Sequence, residues 1–143
     1  MAILHKHTEN MRNLTALVVV LVLCPVFLFA AAPPKFTADY YLATPEKFAG
    51  QEIKLYVTHA DPSSYKTEDD FRAFFVGTAY NKERGGYIDI IVPKSFADKI
   101  VKRYGTKSEY NQAGEIKSKI LTGVLVEQGG RWIVQASPQV EGD

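Results

Sequence analysis

FRAFFVGTAYNKERGGYIDIIVPKSFADKIVKRYG, residues 71–105, holds a strand, a turn, a second strand and a helix, and this run decides the fold. Residues 71–80 are rich in aromatics, with Gly77 where a bulge or sharp bend fits. NKERGG (81–86) reads as a hairpin turn closed by two glycines. YIDIIVP (87–93) reads as the partner strand, ended by Pro93. A helix over 95–104 follows. Ser95 is its expected cap, Asp98 its capping-box partner, and Phe96, Ile100, Val101 and Tyr104 share one face before Gly105 stops it.

Working outward, QEIKLYVTHAD (51–61) alternates Ile53, Leu55 and Val57 with polar residues, the pattern of a half-buried strand. DPSSYKTEDD (61–70) is a polar, turn-rich connection into the hairpin. On the other side, TKSEYNQAGE reads as a polar loop, and IKSKILTGVLVE (116–127) as a long strand. Gln128-Gly129-Gly130 turns the chain into a last strand, RWIVQAS (131–137), and 138–143 is a tail. Ahead of the first strand, Thr44-Pro45-Glu46-Lys47 suits a one-turn helix start. Residues 33–43, opened by Pro33-Pro34, read as an extended linker. The expected class is all-β with one helix, the helix lying between the third and fourth of five strands.

Residues 14–32 (LTALVVVLVLCPVFLFAAA) carry no charge. With Lys6 and Arg12 ahead of them and Ala30-Ala31-Ala32 behind, residues 1–32 read as a signal peptide, its start possible at either Met1 or Met11. An uncleaved anchor is the alternative, because Pro33 directly after the cut suits signal peptidase poorly and about 20 apolar residues can span a bilayer. The expected location is periplasmic or secreted, or membrane-anchored with the domain outside the cytoplasm.

Of 17 Lys+Arg and 16 Asp+Glu, only Lys6, Arg12 and Glu9 precede Pro33, so the remaining chain is balanced at 15 of each sign. That balance argues against nucleic-acid binding by bulk charge. Cys24 is the sole cysteine and lies in the leader, which excludes disulfides, cysteine nucleophiles and zinc-thiolate sites from the domain.

The order strand, strand, strand, helix, strand, strand resembles the five-stranded OB-fold barrel. FAGQEIKLYV resembles the "Gly, then V-x-V-x-G" opening of OB domains, and KSKILTGVLVE, with Gly123 mid-strand, resembles their fourth strand. The resemblance covers residues 44–137 and points to exported bacterial proteins related to the anticodon-binding OB domains of tRNA synthetases. An SH3-like small barrel or β-sandwich is the alternative, although the helix counts against a sandwich.

No catalytic constellation is legible. His59 is the sole histidine after the leader, and a lone histidine at a strand end is more often a surface or hydrogen-bonded residue than a base. Ser63 and Ser64 nearby do not make a triad, which is defined in space. Asp61, Glu68, Asp69 and Asp70 lack the spacing of a calcium loop. Gly85-Gly86 and Gly129-Gly130 each join two strands and so read as turns, not phosphate loops. No enzyme activity, cofactor or metal is expected.

The OB resemblance implies ligand binding across strands two and three, flanked by residues 60–70 and 128–130. If Ile88, Ile90 and Val92 fill the core, Tyr87, Asp89 and Ile91 face outward. On strand two either Phe71, Ala73, Phe75 and Gly77 point inward, leaving Arg72, Phe74, Val76, Thr78 and Tyr80 out, or the reverse holds. The first option gathers Arg72, Phe74, Tyr80 and Tyr87 on one face, with Lys82 and Arg84 in the adjoining turn and Tyr56 and Arg131 extending it. Aromatics interspersed with cations stack ring-bearing ligands. Two functions follow. One is a non-catalytic exported module binding an oligomeric ligand (glycan or peptide, less readily nucleic acid) or a partner protein. The other is an assembly component of an envelope complex with no small ligand.

Overall fold

Alternation in the first strand is kept until it is needed to break. The computed structural model describes residues 31–137, and those from Pro33 onward belong to one compact unit. The expected signal peptide, but for Ala31 and Ala32, and the expected tail lie outside the described residues. In β1 (Glu52–Pro62), Ile53, Leu55 and Val57 are buried. The pairing with β2 (Phe71–Tyr80) then slips between Val57 and His59, so Ala60 rather than His59 joins the core.

With β3 (Glu83–Pro93), β4 (Lys119–Gln128) and β5 (Arg131–Ala136), the strands close into a ring in the order β1-β2-β3-β5-β4. β3 and β5 pair in parallel, and the other four pairings are antiparallel. The interior is filled by Leu55, Val76, Ile90, Leu125 and Val134, all fully buried. Gly123 lets β5 approach closely: a Cβ there would lie 2.5 Å from the Gln135 carbonyl oxygen and 2.6 Å from Val134 Cγ1.

The hairpin is tighter than a six-residue turn. Asn81 and Lys82 alone form it, both with positive φ (49° and 63°), as a two-residue turn matching strand twist requires. Gly85 and Gly86 therefore belong to β3 and are not a turn. Gly129 and Gly130 do form one, with φ of 57° and 76°.

Strand two adopts the reverse register. Tyr80 pairs with Glu83, but the ladder shifts between Gly77 and Ala79, and below the shift Val76 faces Ile88 and Phe74 faces Ile90. Since directly paired residues share a face, Phe74 and Val76 join Ile88 and Ile90 in the core while Phe75 stands 42% exposed. Without the bulge, both the two-residue and the six-residue turn would have put Phe75 inside.

Residues 33–43 are not an extended linker. Thr37 caps a helix, α1 (Ala38–Ala43), accepting from the Tyr40 amide. Ala38 and Tyr41 are buried, and the Tyr41 hydroxyl donates to the Lys54 carbonyl at 2.8 Å. Gly85 leaves room for Thr37, with which any Cβ would collide. The expected single turn is present as a 3-10 turn, Pro45–Lys47.

The helix after β3 opens with a 3-10 turn, Lys94–Phe96, and continues as α2 (Ala97–Tyr104). Ser95 lies inside that turn, so neither it nor Asp98 caps the helix as expected. Ile100 and Tyr104 are buried, Val101 is exposed, and Gly105 ends the helix at φ 68°. The stretch expected as a polar loop contains a further helix, α3 (Lys107–Ala113), closed at its start by a capping box between Thr106 and Glu109.

Candidate functional site

The bulge in β1 that removes His59 from the core turns it onto the outer side of the sheet, opposite Gly77 of β2. There α3 covers it. The Gly105 carbonyl accepts from the Ala60 amide at 2.8 Å, and the Lys107 amide donates to the Asp61 carboxylate at 3.1 Å, which tie the start of α3 to the end of β1. The result is a hollow of about 280 Å³ between β1, the β2–β3 hairpin and α3.

His59 forms its floor, only 3% exposed, with Nδ1 2.9 Å from Thr58 Oγ1. Its ring is 5.8 Å from Tyr87 and 5.2 Å from Tyr110. Gly77 is required beneath it, since a Cβ would fall 2.8 Å from Nε2. Burial lowers the His59 pKa below 6.5; Asp61 opposes that shift, whereas Lys107 and Arg84 reinforce it. The ring is therefore neutral at pH 7. Tyr87 stacks on Phe75 at 5.1 Å and 10°, and Lys107 Nζ lies 5.4 Å from the Tyr87 ring centre. Arg84, Lys107 and Asn111 complete the lining, which includes no carboxylate. The Tyr110 hydroxyl is buried without a hydrogen-bond partner, at a cost of about 1–3 kcal/mol.

Of the eight residues expected on the binding face, the hollow brings together Arg84 and Tyr87. Phe74 is in the core, for the register reason above. Tyr56 and Tyr80 meet each other at 4.7 Å in a cluster with Phe36. Lys82 is exposed in the turn. Arg72 is exposed, donating to the Phe71 and Asp69 carbonyls.

Arg131 is turned to another task. It pairs with Asp89 at 2.8 Å, and Ser63 donates to the other Asp89 oxygen at 2.5 Å. Asp89, expected to face outward, is thereby buried at 4% exposure. Tyr65 packs under the Arg131 guanidinium, 5.7 Å from ring centre to Cζ. The β1–β2 connection thus lies over the middle of β3 and leaves open the Tyr87 end.

His59, Phe75, Lys107, Tyr110 and Asn111 escape a reading by strand alternation. The T-x-x-E spacing of Thr106 and Glu109 was the available signal for α3, and with it for the last three. His59 carried none, because its direction depends on the bulge. Among the described residues no group of three or more His, Cys, Asp or Glu gathers as a metal site, and no helix is long and apolar enough to cross a membrane. The chain matches no family model, no curated protein and no solved structure.

Proposed function

We propose that this chain is an exported, non-catalytic binding module built on an OB-like barrel. The strand order, the single parallel pairing of β3 with β5 and the helices between β3 and β4 support the barrel type. The charge-free run 14–32, with Lys6 and Arg12 ahead of it, supports export. The observation that carries the binding role is the hollow where Arg84 and Tyr87 meet His59 and Lys107, a concave patch with aromatic walls and unpaired-side cations.

A hollow of about 280 Å³ takes one unit of an oligomer, such as a sugar ring or a side chain, with Phe75 extending the surface beside it. Glycan or peptide fits this better than nucleic acid, given the balanced charge of the chain after the leader. An assembly role through added edge strands finds no support, since each of the five strands has two neighbours.

The test is a two-dimensional amide spectrum of the full-length protein, titrated with a cell-wall glycan fragment, a mixed peptide pool and a short oligo-dT. Shifts clustered on residues 58–59, 75–87 and 107–111 that survive moderate salt are the expected result. A dispersed spectrum unmoved by all three would remove the proposal and send the search to protein partners.

A further inference from the structure

We propose that the hollow over His59 selects a compact anion: a ring of about monosaccharide size bearing a carboxylate or phosphate group, held through Arg84 and Lys107. The inference rests on the binding role just proposed and adds the ligand's chemistry to it.

Three observations carry it. First, the lining supplies two cations and no carboxylate, although the chain after the leader is balanced in charge. Neither Arg84 nor Lys107 forms a side-chain ion pair among the described residues, whereas Arg131 is committed to Asp89. Second, both cations act on the same spot. Lys107 stands over the Tyr87 ring, Arg84 lines the same hollow, and the charges of both are felt at His59, where the Asp61 carboxylate opposes them. Third, the Asn111 amide and the Tyr87 hydroxyl can donate, whereas the Thr58 hydroxyl is engaged with His59 Nδ1, the Thr78 hydroxyl donates to the Gly85 and Gly86 carbonyls, and the neutral His59 ring holds one donor and one acceptor. A ligand rich in oxygen acceptors and carrying negative charge complements that set.

The volume sets the size of the group, being at the small end for ligand sites. The carboxylate and phosphate alternatives share one recognition chemistry, so the probes separate them.

Calorimetric titration of the full-length protein uses galacturonate, glucose 6-phosphate, glucose and inorganic phosphate, with thermal melts confirming that each variant folds. One or both ring anions are expected to bind at least about ten-fold more tightly than glucose. Whichever binds better names the source of the charge. Arg84→Gln and Lys107→Gln should each weaken that ligand about ten-fold, while Lys82→Gln, removing an exposed charge from the nearby turn, should leave it unchanged. Equal binding of glucose would overturn the inference, as would equal loss in the Lys82 variant, which would mean bulk attraction. Binding of inorganic phosphate as tight as that of the ring anions would also overturn it. If the glycan or peptide titration shifts the face but no ring anion binds, the anion chemistry fails and the binding role stands. If nothing shifts the face, both fail.

Discussion

Phe74 and Phe75 are adjacent and identical in chemistry, yet the bulge at Gly77 makes one a core residue and the other a surface residue. Phe74→Ala is expected to cost about 3–5 kcal/mol in urea denaturation, the loss typical of a buried phenylalanine. Phe75→Ala should cost well under about 1 kcal/mol, as exposed changes do, while removing the stacking partner of Tyr87. Equal costs would mean the opposite strand register. His59 supports a second prediction. Its folded pKa is depressed, so below pH 6.5 the unfolded chain takes up a proton that the folded chain refuses. The stability His59 contributes is therefore present above 6.5 and is lost as pH falls from there toward the folded value. Thermal melts of the parent and His59→Gln from pH 7.5 to 5 should converge or cross in that window, since the other two histidines, His5 and His7, are common to both. A constant difference across it would show the ring to be as free to protonate as in water.

Elements, rather than single residues, explain which part of the expected binding face is open. The β1–β2 connection is fastened over β3 by Ser63 and Arg131, both on the buried Asp89 carboxylate. Removing Arg131, itself about half exposed, leaves that carboxylate with one partner. Arg131→Ala is expected to cost about 1–3 kcal/mol, and Asp89→Asn in the same chain should recover part of it. Faster hydrogen exchange at the Ser63 and Tyr65 amides in the single variant would locate the loss in the connection. No change in stability or exchange would mean the loop is held by other contacts, such as Thr67 Oγ1 to the Phe71 carbonyl at 3.0 Å.

At the scale of the whole molecule, the five strands, their order and the helix between the third and fourth were legible, because alternation and turn residues are local signals. What was not legible depended on partners distant in sequence. The inward face of β2 was set by a one-residue slip that Gly77 hinted at without giving its parity. The docking of α1 on Gly85 needed knowledge that a glycine pair was a landing place, not a turn. In the hollow, Arg84 and Tyr87 lie on strand three, where the sequence reading looked, but the wall built by α3 lay in a stretch that reads as polar loop.

Closure of the ring also fixes the order in which the molecule can be made. β1 waits for β4, as Glu52 pairs with Val124, and β3 waits for β5, as Asp89 pairs with Ile133. Such long separations slow folding, because the chain must be brought round before any contact repays the lost freedom. Until Arg131–Ala136 leaves the ribosome, β3 and β4 each keep one unpaired flank. A chain stopped at Gly130 should therefore aggregate through those flanks, seen as loss of the monomer peak in gel filtration, while one stopped at Ser137 should not. The nascent chain is thus held open along both flanks until its last strand is made.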